Sequence, residues 1–416
     1  MPESWSTRIA NRYCCDLSQQ LTDWFDSEVW KQIGSSEFRE PVDPQTLLER
    51  APEVVWPGLM SCDFLPLIGN MAGDWLCVRM GQNSASEIVH WYHGGGDWIP
   101  WGKDLAEALV FDALIDRLPG PSARHAIPAE TPRPDLPNSD DPILRWALKQ
   151  LPVVEPAFDT DLKGSQLADL LISHSIAEVA VRCELICSAL ASAVDLEQTL
   201  QDLMLDAAPT AEWVFDHQRI PEDIRDQLRS VQASSLDQDW QIAEAQAMRI
   251  TELSSELACG WDIAGYAAMR RGEDVLAQQR FEKGATCSVF TDQSIRLKTH
   301  WMSDRSMKFS VACLSLTNPR AVEESAYLQM LMGEDFSKQH VTNHWLDLGT
   351  EFHEAGEFER AWSCFMNAGW DVGAGPMHVY TDLLERVVDA SDRANHGARA
   401  ELARTHLRCL GERYSS

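Results

Sequence analysis

The chain has 416 residues, of which 64 are Asp or Glu and 35 are Lys or Arg, for a formal charge of −29. That balance argues against nucleic acid, whose phosphates reward Lys and Arg, and against anionic membrane surfaces. With 44% hydrophobic and 24% charged residues, the composition is that of an ordinary globular protein whose length suits two or three domains.

The first residues, MPESWSTRIANRYCCDL, hold two arginines and no apolar run. No stretch approaches the ~20 uninterrupted apolar residues of a membrane span. The reading is therefore a cytoplasmic protein with no membrane association and reduced thiols. Eleven cysteines, an odd number, fit free thiols better than a disulfide framework. Cys183 and Cys187 lie one helical turn apart in an apolar run, where cysteine usually acts as a small buried hydrophobe.

From Asp16 to Ile33, Leu17, Leu21, Trp24, Phe25, Val29 and Ile33 recur at three- and four-residue steps, which predicts one amphipathic helix. Pro41, Pro44, Pro52 and Pro57 then break the chain. Phe64–Ile68, Asp74–Met80 and Glu87–His93 are short apolar and aromatic runs separated by Gly/Asn turns, the pattern of an antiparallel meander. A helix is predicted over Lys103–Leu118, with Leu105, Ala108, Leu109, Leu114, Ile115 and Leu118 inward. Residues 119–142 are proline-rich and almost free of large apolar side chains, so they read as a semi-rigid linker.

Beyond the linker everything reads as helix. Leu167–Val194 and Leu196–Ala207 are long apolar-periodic runs, and Pro209, Pro221, Pro319 and Pro376 fall between such runs. The expected organisation is an α+β domain over 1–118, a linker over 119–142 and a larger all-α domain over 143–416.

Within the helical part, Trp345, Leu348, Gly349, Phe352, Ala361, Phe365 and Ala368 fit the spacing W-x2-L-G-x2-Y…A-x3-F. Small residues let two helices approach, large aromatics fill the space beside them, and Ala355-Gly356 sits where a turn must fall. Trp261, Ala264, Gly265, Ala268, Gly272, Ala277, Phe281 and Gly284 form a weaker copy, starting about two and a half 34-residue periods earlier. The segment resembles a tetratricopeptide-like helical array, and that resemblance implies a surface for binding peptides or proteins.

The amino-terminal half carries a second resemblance. Leu65-Pro66-Leu67-Ile68-Gly69, then Gly73-Asp74-Trp75-Leu76-Cys77-Val78, then Ile88-Val89-His90-Trp91-Tyr92-His93, a turn ending at Trp98 and a helix from Lys103 resemble the SUKH superfamily. That family includes fungal cell-wall assembly regulators and bacterial immunity proteins. The resemblance implies a curved antiparallel sheet with helices packed on it, protein binding in place of catalysis and, for an immunity-type member, neutralisation of toxins by direct contact. An acidic inhibitor would meet a basic toxin with favourable steering.

Catalytic and metal motifs do not assemble. His93-Gly94-Gly95-Gly96 invites comparison with an esterase oxyanion loop, but the G-x-S-x-G elbow that such a site requires is missing from the sequence. His90, His93 and His125 are one conceivable metal set, and His340, His344 and His353 another. His340 and His344 lie one helical turn apart, but Val-Thr-Asn stands between them without the Glu of a zinc-binding helix, so packing or surface histidines are the reading. No phosphate-cradling glycine loop occurs, so no catalytic residue, cofactor or metal is expected. Asp97, Trp98 and Trp101 are the candidate protein-binding residues, because exposed tryptophans are enriched at hot spots. The expected function is a non-catalytic protein-interaction module for a basic partner, with an immunity role as one form and a scaffold acting through the helical array as the alternative. An enzyme whose site the sequence does not advertise is the second alternative.

Overall fold

A computed structural model describes residues 3–93, 98–119, 141–159, 162–189, 240–287, 310–311, 313–314, 318–332, 338–369 and 377–414. It has an α+β architecture, an amino-terminal sheet followed by a larger helical part. Contacts divide the chain into two units. One joins Met1–Ala113 and Asn138–Glu155 to Gln329–Ser416, and the other holds Leu114–Pro137 and Pro156–Leu328. This is not the linear partition at 119–142 expected from proline content, since the last helices belong with the sheet. Residues 120–140 of that expected linker lie outside the described residues.

The first unit begins with α1 (Trp5–Tyr13), capped by the Ser4 hydroxyl, which accepts from Thr7 N–H. It ends where Cys14 turns left-handed at φ 51°. The single helix predicted over Asp16–Ile33 is broken into three pieces. Leu17 is drawn into a two-residue strand, β1 (Asp16–Leu17), and α2 (Gln19–Asp26) starts under a Ser18 cap. Glu28 at φ 59° then stops the helix before a single 3-10 turn, Val29–Lys31. Ile33, predicted to be buried, is 76% exposed, and Trp30 is buried in its place.

The sheet comprises β1, β2 (Glu40–Pro41), β3 (Phe64–Gly69), β4 (Trp75–Met80), β5 (Ser84–Trp91) and β6 (Trp98–Gly102). Its order is β1-β5-β4-β3-β2, with β6 also on β5. The meander β3-β4-β5-β6 is antiparallel as expected, but β1 runs parallel to β5, so the sheet is mixed. Register places Trp75, Trp91 and Trp98 side by side on one face, and Leu76, His90 and Ile99 on the other.

Between β2 and β3 comes α3 (Pro44–Leu47). The helix α4 (Leu105–Leu114) covers the face bearing His90. Its start is fixed by Asp104, whose carboxylate accepts from Glu107 N–H at 3.0 Å. Gly102 precedes it because any Cβ there would lie 2.6 Å from Ala108 N. All six residues predicted to face inward here are buried. Next, α5 (Pro142–Gln150) returns to α2, where Trp146 packs edge-on to Trp24 at 5.1 Å and donates to Asp23 at 2.6 Å.

The second unit is helical. The run predicted as continuous from Leu167 is two helices, α6 (Gly164–Ser173) and α7 (Glu178–Ala189), separated where Ser175 and Ala177 adopt left-handed conformations. The predicted run 196–207 lies outside the described residues. After α8 (Trp240–Leu253), α9 (Ala258–Arg270) and α10 (Asp274–Thr286) form a hairpin. Gly272 turns it at φ 73°, with the Phe281 ring against Gly265.

The chain re-enters the first unit through α11 (Lys338–Glu354), α12 (Phe358–Gly369), α13 (Met377–Arg393) and α14 (Gly397–Tyr414). Here α11 and α12 repeat the same construction: Gly356 turns at φ 78° and Phe365 lies against Gly349. The core runs through Ala361, Phe365, Leu383, Leu384, Val387 and Leu410, and it takes in Cys62 from the segment before β3. Burying a side chain such as Leu384 or Phe365 contributes about 1.5–3 kcal/mol, so this shared core ties the two ends of the chain together.

Candidate functional site

Of the predicted contact residues, Asp97 lies outside the described residues. Trp98 and Trp101 are each 5% exposed. Strand alternation sends them to opposite faces of the sheet, as their spacing implies, but both faces are covered. Trp98 stands edge-on to Phe64 at 5.5 Å with the Arg79 guanidinium 4.9 Å from its ring. Trp101 stands edge-on to His90 and to Phe111, each at 4.7 Å. Both indoles are packing residues in this structure.

Two of the histidines considered in the sequence share one carboxylate. Asp74, at the start of β4, faces His93 Nδ1 at 3.1 Å and His90 Nε2 at 3.6 Å, and it accepts from His93 N–H at 2.9 Å. Asn70 shapes the turn by accepting from Ala72 N–H and Asp74 N–H. Burial pushes the Asp74 carboxyl up, but the hydrogen bonds and charge of His90, with the bonds from His93, outweigh it and hold the group at about 2. His90 is enclosed by aromatic rings, stacked on Tyr92 and edge-on to Phe38. His93 is more than half exposed, yet among the described residues it bonds Asp74 and no hydroxyl or thiol. A base without a nucleophile is not a catalytic pair.

His125 lies outside the described residues. Among those described, no group of three or more His, Cys, Asp or Glu could hold a metal ion. All eleven cysteines are free, and Cys183 and Cys187 are buried. Among the described residues no helix is long and apolar enough to cross a membrane.

The cavity that does present chemistry lies between α11 and α13, with a volume of about 400 Å³. Thr350 and His353 line it from α11, and Phe365 of α12 closes its base. From α13 come Asp382, Glu385, Arg386 and Asp389, at three- and four-residue steps along one stripe. The opposite stripe of α13, Leu383, Leu384 and Val387, is buried against the segment 58–62, so burial of one face fixes the other toward the cleft.

The charges in this cleft are unequally satisfied. Arg386 donates to Thr350 Oγ1 at 2.8 Å. Asp389 lies 2.6 Å from His353 Nε2 and accepts from Arg393 Nε at 2.9 Å. Partial burial works to raise Asp389, and the bonds from Arg393 and His353 overcome it, leaving the group below the ordinary carboxylate range. Asp382 and Glu385 are exposed and form no hydrogen bond or ion pair among the described residues. The cleft therefore offers two unneutralised carboxylates beside a polar wall.

Of these residues His353 drew attention in the sequence as a metal candidate and Phe365 as a position of the helical-repeat pattern. The acidic stripe on α13 is visible there as a polar helix face, but nothing local says that α11 lies across from it. No family model, curated protein or solved structure matches the chain.

Proposed function

We propose that this chain is a non-catalytic protein-recognition module that receives a basic segment of another protein in the cleft between α11 and α13. The observation that carries this reading is the pair of unneutralised carboxylates, Asp382 and Glu385, in a cavity of about 400 Å³. The formal charge of −29 supports it by favouring encounter with cationic partners, and by disfavouring nucleic acid. Free thiols throughout suit a reducing compartment, and we place the protein in the cytoplasm on that support.

The cleft lies on the helical hairpins and not on the sheet, which favours recognition through the helices, the adaptor form of this function. The immunity form, neutralisation of a basic toxin, remains the implication of the SUKH resemblance. The buried positions of Trp98 and Trp101 give it no contact surface on β6.

The test is affinity capture of the full chain from its own cell extract, eluted at about 50 mM and then about 500 mM salt, a range over which exposed charges are screened. A stoichiometric basic protein released at the higher salt is expected. The Asp382→Asn/Glu385→Gln double variant is expected to bind it about five- to tenfold more weakly, the scale of exposed charge contacts. A partner held equally by the double variant would remove the cleft from the reading, and no partner at either salt would remove the reading itself.

A further inference from the structure

The helix α14 holds a histidine that the described residues leave unsatisfied. His406 is 0% exposed, and among the described residues neither ring nitrogen has a hydrogen-bond partner. One turn and two turns further along the helix, Cys409 and Arg413 dock on the segment before β3. The Cys409 thiol points to Pro52 O at 3.6 Å, and the Arg413 guanidinium donates to the carbonyls of both Pro52 and Val55. His406 is thus buried beside the contact that fastens the last helix to residues 52–55.

The charges around it offer no relief. On its own helix, Arg413 is a cation that repels a second cation at His406. Glu401 is occupied by Arg12 and Arg408, and Arg404 pairs with Asp392. From α1 come Arg12, bound to Glu401 and Thr405, and the buried Tyr13 hydroxyl, which donates to Leu47 O at 2.7 Å. On α13, which packs against α14, Asp392 is already paired and Asp389 is held by His353 and Arg393 on the cleft side. On β4, which also touches α14, Arg79 is held by Asp63 and Glu87. Among the described residues no carboxylate bonds the imidazole, and Glu412 is turned to Arg50 at the surface. An imidazolium here would be desolvated, unpaired and beside a guanidinium.

We propose that His406 is a proton-operated latch: its neutral form permits α14 to dock on residues 52–55, and its protonation releases that docking. Burial pushes the imidazole down to about 3, and Arg413 adds to the effect. The ordinary value in an open state is about 6.5. Because the folded value is the lower one, the open state binds the proton more readily. Docking is therefore fully favoured above about pH 6.5 and weakens progressively as pH falls toward the folded value.

The experiment is hydrogen exchange on the full chain between pH 7.5 and pH 5, corrected for the intrinsic pH dependence of exchange. Peptides covering 47–60 and 397–414 report the latch, and peptides covering 258–286 in the other unit serve as the control. The two values above give an opening equilibrium about thirtyfold larger at pH 5 than at pH 7.5. That gain is expected in the latch peptides and not in the control. The variants His406→Leu and His406→Met, two apolar replacements of which one tolerates imperfect packing, are expected to flatten the pH dependence. A wild-type latch whose protection does not change down to pH 5, or a folded variant that loses it with the same midpoint, would overturn the proposal. So would loss of protection in latch and control peptides together, which would mark general acid unfolding.

Discussion

Arg12, on the first helix, and Glu401, on the last, form an ion pair across 389 residues of sequence. Neither side chain is more than 17% exposed, and each makes a second bond, Arg12 to Thr405 at 3.1 Å and Glu401 to Arg408 at 2.8 Å. Nearby, Asn83 of the β4–β5 turn accepts from Gly397 N–H at 3.0 Å and so anchors the start of α14. The sheet and the terminal helices are joined by polar bonds at these points and by the apolar core around Cys62, Leu383 and Leu384.

This joining predicts how the chain responds to division. Residues 1–118 produced alone would expose the apolar side of the segment 52–62 that α13 and α14 now cover. They are expected to aggregate or to lack fixed tertiary packing, whereas a chain keeping 329–416 should not. A milder test is Arg12→Ala, which removes the bond between the two helices and leaves Glu401 with partners on its own helix only. The expected cost is about 1–3 kcal/mol, the scale of a hydrogen bond to a charged group. It should be read as lost exchange protection in the peptide 397–414, because a chain of two units need not unfold in one step. Native-like near-ultraviolet dichroism of residues 1–118 alone would contradict the account.

The tryptophans of β6 separate packing from recognition. Trp101→Ala removes an indole set between His90 and Phe111, and Trp98→Ala removes one set between Phe64 and Arg79. Each is expected to cost about 3–5 kcal/mol, as large-to-small core changes do. Denaturant unfolding followed by a probe in the sheet would measure it. A Trp101→Ala chain of unchanged stability that failed only in partner capture would return the residue to a contact role.

How far the sequence could be read depended on how local the governing interaction was. The strands around Leu65, Val78 and Val89 were legible because alternation and Gly/Asn turns act over a few residues. The helix ending at Asp26 reads as longer than it is because Val29 and Ile33 keep helical spacing, although the left-handed Glu28 breaks the backbone ahead of both. Which helices share a core with the sheet was not legible. The apolar stripe of Leu383, Leu384 and Val387 states that α13 buries a face and is silent on Cys62 as its neighbour. The same limit hid the cleft. Asp382 and Glu385 read as a solvated face until Thr350 and His353 are placed opposite them.

The paired glycines allow the sharpest test of why the two hairpins share one pattern. A Cβ on Gly265 would sit 2.5 Å from the Phe281 ring, and one on Gly349 would sit 2.5 Å from the Phe365 ring. Both rings are buried, at 0% and 1% exposure, so neither can swing aside into solvent. Helix propensity alone favours alanine over glycine by about 1 kcal/mol within a helix. Overpacking opposes it at about 1–3 kcal/mol, so Gly265→Ala and Gly349→Ala should each be net destabilising or at best neutral. The control is relief of the clash. Gly349→Ala combined with Phe365→Leu should lose less stability than the two single changes summed, because the smaller side chain admits the new methyl. Additive losses in that pair, measured by exchange protection across 338–369, would show that the glycine is not there for the helix–helix approach.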